Sequence, residues 1–278
     1  MIPEIYARAL LDQLGVRGVP DVQAIASSLG VSIMERPLEG CDGLLVRIKG
    51  SLKGAIAVKD SIREEGRKRF TIAHELGHLV LPGHEDQGIC AGVEIESWSG
   101  QLAAKEQQAN AFAAELLMPA DLVQKVVPGL APSLAGVLTL SRQCQTSLTA
   151  SGYRLVTLTS YAAALVWSQA GEIRWPKKSE EFKQWIRSGR LDPRTFAADL
   201  VKGQPIPAGP QPVPVEAWLE VSAPDSQLLE ESLVLPNYDA VLTLLWIRDP
   251  LPEPDELDEL LNPLDPNEFS LKRSRWRK

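Results

Sequence analysis

Histidine, cysteine and methionine are scarce in this chain, three of each in 278 residues. The cysteines, Cys41, Cys90 and Cys144, stand far apart, with no CxxC pair among them. An odd, scattered set of this kind excludes a disulfide framework and a thiolate zinc site, and reads as the reduced thiols of a cytoplasmic protein. Long apolar runs are missing too. None approaches the roughly 20 residues that a membrane-spanning helix needs, so no membrane association is expected. The opening stretch MIPEIYARALLDQLG is interrupted by Glu4, Arg8 and Asp12, and carries no uninterrupted signal-peptide core. Nor is there an excess of basic charge, since 29 Lys and Arg against 36 Asp and Glu leave a formal net charge of −7. Sequence-independent nucleic-acid binding needs a basic surface that displaces counterions, so direct DNA binding is not expected. The rest of the composition, 44% hydrophobic and 23% charged, is that of a globular protein long enough for more than one domain.

The few histidines there are lie together. His74, His78 and His84 fall within eleven residues, and residues 74–78 read His-Glu-Leu-Gly-His. A helix turns about 100° per residue, so positions i and i+4 share a face. His74 and His78 therefore point at one place, with Glu75 beside them. This is the HExxH pattern of zincins, in which two neutral imidazoles bind Zn²⁺ and the Glu takes a proton from the attacking water. Ile72, Leu76, Leu79 and Val80 follow the apolar stripe of a helix, and Pro82-Gly83 should stop it. Two surface histidines on an ordinary helix would give the same five letters. Confinement of every histidine to this one segment favours the metal site.

The spacing of apolar, Gly and Pro residues predicts an α+β chain in four parts. Residues 1–120 form a zincin-like domain with helices over Glu4–Leu14 and Asp21–Leu29, the second capped by Asp21 and stopped by Gly30. A small β-meander follows (VSIMER, GLLVRI, GAIAVKD), then the HExxH helix, then a helix over Ala104–Leu117 ending before Pro119. Residues 121–160 read as helical, broken at Pro128-Gly129 and Pro132, with a helix-turn-helix-like pair over Leu134–Leu158. Residues 161–250 read as a small α+β domain. LVWSQAGEIRW forms a hairpin around Gly171, EEFKQWIRSG a helix, PIPAGPQPVP a linker or extended crossing, and VEAWLEV, ESLVL and AVLTLLWIR strands. Residues 251–278 read as a charged mobile tail, with seven acids between Glu253 and Glu268 ahead of LKRSRWRK.

A catalytic zinc keeps one position open and takes three protein ligands, and two residue types compete for the third place. His84, ten residues after His74, has the ligand spacing of a metzincin, although Leu81 stands where that turn uses Gly. The other rival is a carboxylate on the second helix. Glu106, Asn110 and Ala113 share one face there, and Ala109, Ala111, Ala113 and Ala114 would let the two helices approach closely. Glu115 is a further acid on the same helix, on a different face. For Glu106 the bland alternative is a solvated acid near a helix N-terminus.

RFTIAHELGHLVL followed by EQQANAFAAELLMP resembles the ImmA/IrrE metallopeptidases, over about residues 3–120 and more faintly to about 158. The resemblance implies His74, His78 and Glu106 as metal ligands and Glu75 as the general base, with His84 left as a substrate contact or alternative ligand. One departure is Gln108, where family members often carry a second acid. Two imidazoles and one carboxylate also leave the open position that catalysis needs, which favours Glu106 over His84. Zn²⁺ is the expected metal, although similar ligands accept Mn²⁺ or Fe²⁺. Tyr153 or Arg154 is available as an oxyanion donor. The resemblance further implies a partner that is also the substrate, a helix-turn-helix repressor whose cleavage derepresses stress-response or mobile-element genes. It implies a sensor or substrate-docking role for the C-terminal domain. The alternatives are a non-catalytic metal-binding transcription regulator or an antitoxin-like interaction protein. The only cations between Lys125 and Arg174 are Arg142 and Arg154, which leaves the helical pair poor in phosphate contacts.

Overall fold

A computed structural model of the chain describes residues 2–47, 53–84, 101–221 and 227–248. The expectations for Cys90, for most of the connection between the two metal-site helices and for the charged tail lie outside these residues. The chain divides into two compact units between Thr159 and Ser160.

The first unit opens with α1 (Pro3–Gln13) and α2 (Val22–Ser28), both at the expected places. Pro3 sits in the first turn of α1, where its missing N–H costs nothing. The Asp21 carboxylate caps α2 by accepting from the N–H groups of Gln23 (2.9 Å) and Ala24 (3.1 Å). Three strands follow: β1 (Val31–Arg36), β2 (Gly43–Arg47) and β3 (Gly54–Lys59). They do not form a meander. The order is β1-β3-β2, with β3 central, parallel to β1 and antiparallel to β2. Alternation along each strand specifies that it is a strand. It does not specify its neighbour, and the parallel β1–β3 pair requires the chain to cross over and leave β2 at the edge.

Next come α3 (Glu65–Val80), which carries His-Glu-Leu-Gly-His, and α4 (Gln101–Leu117), which carries Glu106. The first stops where Pro82-Gly83 predicts, with Leu81 extended and Gly83 at φ +82°. The second ends at the predicted Leu117. Then come α5 (Ala120–Val126), a short 3-10 turn at Pro128–Leu130, α6 (Leu134–Cys144) and α7 (Leu148–Leu158). Ser133 and Ser147 cap the last two helices, which are joined by the three residues Gln145, Thr146 and Ser147 as the helix-turn-helix-like reading expects. One apolar core, including Leu10, Ile25, Ile56, Leu76, Phe112 and Leu155, runs through elements from α1 to α7. The segment after residue 121 thus shares its core with the metal-site helices.

The second unit holds β4 (Ala163–Gln169), β5 (Glu172–Lys178), β6 (Gly189–Arg190), α8 (Phe196–Val201), β7 (Gln211–Pro214), β8 (Gln227–Leu235) and β9 (Ala240–Ile247). The strands make one antiparallel sheet in the order β6-β5-β4-β9-β8-β7. The predicted hairpin is present, its turn made by Ala170 (φ +52°) and Gly171 (φ +76°), the double positive φ that matches strand twist. Two expectations fail. EEFKQWIRSG is not a helix: Phe182 and Gln184 are buried while Lys183 and Trp185 are exposed, the alternation of an extended chain. VEAWLEV is not a strand but a 3-10 turn, Val215–Ala217, leading to the buried Trp218. These two segments bond to each other, through Arg187 N–H to Trp218 O (2.8 Å) and Glu220 N–H to Trp185 O (2.9 Å). The proline-rich stretch ends as β7, an edge strand, where Pro212 and Pro214 need no ladder donor.

Candidate metal centre

α3 and α4 pack against each other at unusually short range, because of residues with little or no side chain. A Cβ added to Gly77 would lie 3.2 Å from both Ala109 Cα and Phe112 Cδ1. Ala109 and Ala113 are fully buried on the α4 side of this seam. The alanines were legible as permissive residues. Gly77, inside the motif itself, was not recognised, although a glycine in mid-helix costs about 1 kcal/mol relative to alanine and so asks for a packing reason.

The close approach brings three ligand atoms together. His74 Nε2 lies 3.0 Å from Glu106 Oε2, His78 Nε2 3.4 Å from Glu106 Oε1, and the two Nε2 atoms 3.1 Å from each other. All three side chains are buried, and among the described residues they form a cluster able to hold a metal ion. Bonds of about 2.0–2.1 Å at tetrahedral angles separate ligand atoms by roughly 3.3 Å. The three observed spacings bracket that value, so the donor set fits a zinc-sized ion. Two lone pairs and a carboxylate facing one point in a buried place also repel unless a cation or proton lies between them.

The electrostatics say the same. Burial alone would raise the Glu106 pKa, but hydrogen bonds from His74 and His78 and their charges hold it at about 2. For His74, burial pushes the pKa down, and Glu106, Glu75 and Asn110 together outweigh it, leaving a net rise. For His78, burial prevails and the pKa falls.

Each imidazole is also held from behind. His74 Nδ1–H donates to Asn110 Oδ1 at 2.9 Å, which accounts for the Asn one turn after Glu106. His78 Nδ1 lies 3.0 Å from His84 Nδ1, and His84 Nε2 lies 2.9 Å from Gln108 Oε1. His84 therefore sits behind His78, on the side of the ring away from Glu106, and is not among the convergent ligand atoms. It is 1% exposed. Arg47 on β2 donates to the carbonyls of His78 (2.9 Å) and His84.

Glu75 is buried on the face of α3 turned to β2. A Cβ on Gly43 would come within 2.7 Å of Glu75 Oε1 and 2.6 Å of Thr71 Cγ2, so Gly43 keeps that space clear. Cys41, two residues earlier, is kept a thiol by burial and by the Glu75 and Asp42 charges, which raise its pKa. Two other sequence candidates are engaged elsewhere. Glu115 is buried in an ion pair with Arg154 and also accepts from Arg8 Nε at 2.9 Å. Arg154 donates its Nε–H to Met118 O at 3.0 Å and is itself buried, while Tyr153 beside it is 36% exposed. Helical spacing placed Glu115 and Arg154 within reach of many partners and could not choose among them.

Residues 26–155 match the family described as IrrE N-terminal-like domain. The chain is similar to two proteins named Radiation response metalloprotease IrrE. With that of Deinococcus deserti it shares 29% identity over 153 residues, 50% of this chain and 53% of the relative. With that of Deinococcus radiodurans it shares 26% over 132 residues, 47% of this chain and 38% of the relative. The matches thus span about half the length of these relatives, or less. A solved structure described as a Mycobacterium tuberculosis transcriptional regulator superposes with a TM-score of 0.55 at 12% identity, over 88% of this chain and 76% of its own, a likeness of fold. Among the described residues no helix is long and apolar enough to cross a membrane. Residues 26–155, which hold the His74, His78 and Glu106 cluster, are thus similar to an IrrE N-terminal-like domain.

Proposed function

We infer that this protein is a zinc-dependent endopeptidase of the cytoplasm that cleaves a helix-turn-helix repressor. The observation that carries the reading is the convergence of two Nε2 atoms and one carboxylate within zinc-ligand spacing, with a further buried carboxylate, Glu75, next in sequence to the first ligand. A zinc ion held there supplies Lewis acidity to the scissile carbonyl and acidifies water. His74, His78 and Glu106 would hold the ion. Glu75 takes the proton of the attacking water and passes it to the departing amine, the work of a general base and then acid. Gly43 leaves its carboxylate room to do so. The repressor as substrate rests on the family resemblance, and the names of the radiation-response relatives agree with a stress-linked role.

The test uses purified full-length chain with repressors encoded near its gene, followed by mass mapping of fragments, with and without chelator. Cleavage should require metal and vanish in Glu75→Gln, which should still bind zinc. A Glu75→Gln protein that cleaves at the wild-type rate would refute the assignment of the base. A gel shift by the intact chain, without cleavage of any repressor, would instead favour a non-catalytic regulator.

A further inference from the structure

Every imidazole in this chain lies at the metal centre, and the third has no task in the reaction as described. His84 presents Nδ1 to His78 Nδ1 at 3.0 Å and Nε2 to the amide oxygen of Gln108 at 2.9 Å. Two facing imidazole nitrogens form a hydrogen bond only when one carries the proton and the other does not. The Gln108 oxygen can only accept, so the His84 proton lies on Nε2 and its Nδ1 is the acceptor. The proton between the two rings then belongs to His78 Nδ1. A neutral His78 with its proton on Nδ1 has its lone pair on Nε2, the atom that faces His74 and Glu106.

Building on the metal-centre reading above, we propose that His84 is a positioning residue that fixes His78 in the tautomer and ring orientation for metal binding, with Gln108 setting the direction of the chain. Asn110 does for His74 in one step what Gln108 and His84 do for His78 in two. The backbone is built to hold this relay. Arg47 Nη2 donates to the carbonyls of both His78 and His84, tying the last turn of α3 to a residue six positions on. Gly83, at φ +82°, makes the reversal that brings the His84 ring back over His78. Partners of this kind raise the basicity of a ligating imidazole and fix its direction, and their loss lowers metal affinity.

With only three histidines to resolve, long-range proton–nitrogen NMR of the zinc-loaded protein reads all three rings. The expected result is a proton on Nε2 of His84 and on Nδ1 of His74 and His78. In chelator competition, His84→Ala should weaken zinc binding roughly 10–100-fold and shift the visible spectrum of the cobalt-loaded protein. His84→Asn sets an amide oxygen near the former Nδ1 and should restore most of the affinity, which a merely space-filling role would not predict. Gln108→Glu, still an acceptor, should bind zinc nearly as wild type, and Gln108→Leu should not. A wild-type His84 that carries its proton on Nδ1, or is bound to the metal, overturns the proposal and leaves the metal centre standing. An unchanged affinity in His84→Ala does the same. Should that variant fail to fold, the wild-type tautomers still decide. A wild-type chain that takes up no zinc overturns the metal centre and this proposal together.

Discussion

Gly43→Ala should separate metal binding from base chemistry. Gly43 is not in the left-handed region, so an alanine there meets no backbone obstacle, and the whole effect comes from its methyl group. That methyl would lie 2.6 Å from Thr71 Cγ2 and 2.7 Å from Glu75 Oε1. Carbon atoms rest about 3.5–4.0 Å apart, so the Thr71 contact must open by about 1 Å. Overpacking of this kind costs about 1–3 kcal/mol of stability. Glu75 must move as well, and a catalytic group displaced by about 1 Å can lose on the order of a hundredfold in rate. We therefore expect kcat/KM to fall about 10–100-fold, or about 1.4–2.7 kcal/mol of barrier. Zinc affinity should stay within about threefold, since the ligand atoms on His74 and His78 face α4, and each imidazole keeps its partner. The double variant Gly43→Ala with Thr71→Ser removes the methyl clash but keeps the Glu75 clash. Its melting temperature should recover while its activity stays low. Thermal melts, chelator competition and repressor cleavage read the three quantities. A Gly43→Ala protein with wild-type kcat/KM would refute the placement of Glu75 against β2.

Metal affinity should fall as pH drops through and below neutrality, because protons compete for the imidazoles. His74, with its raised pKa, takes up its proton first, starting above 6.5, His78 follows at lower pH, and Glu106 at about 2 stays ionised throughout. Zinc titrations from pH 8 to 5.5 that show a flat affinity would contradict this. Glu115→Ala should destabilise the first unit by about 3–5 kcal/mol, because it strands the buried Arg154 without its counter-ion; a denaturation midpoint equivalent to less than 1 kcal/mol of loss would show the pair to be incidental. In the second unit, the Glu230 carboxylate is buried and accepts from Ala197 N–H, Trp218 Nε1–H and the Ser232 hydroxyl. Burial raises its pKa despite those donors. Its contribution to stability is therefore complete below the unfolded carboxylate range and is lost as pH rises through the folded value. Glu230→Gln should remove that pH dependence and cost about 1–3 kcal/mol, as Gln turns an N–H toward Trp218. Equal pH slopes in urea unfolding of wild type and variant would rule it out.

How far the sequence could be read varies with the range of the interaction. The helix of His74 and His78 was legible because both its apolar stripe and its ligand spacing are periodic within five residues. The Asp21 cap and the Ala170-Gly171 turn are local too, and were found. The order β1-β3-β2 was not, since nothing in three short apolar strands names a neighbour. EEFKQWIRSG carries Phe182, Trp185 and Ile186 at helical spacing, yet a partner segment around Trp218 draws it into extended pairing. Local pattern lost there to tertiary contact. Likewise Gly43 and Gly77 looked like any other glycines until β2 and α4 came within van der Waals contact of α3.

The sequence by itself determined that His74 and His78 share a face, with Glu75 beside them, because helical geometry depends only on spacing. It also narrowed the third ligand to a residue on the next helix or one just past the motif. Only the tertiary structure shows which of these side chains converges with the two imidazoles. Packing of α3 on α4 through Gly77, Ala109 and Ala113 carries the Glu106 carboxylate to the two Nε2 atoms, while the turn at Gly83 and the reach of Arg47 lay His84 behind His78 instead. A ligand set is a fact of convergence in space, and convergence between separate helices is written in contacts that no local spacing contains.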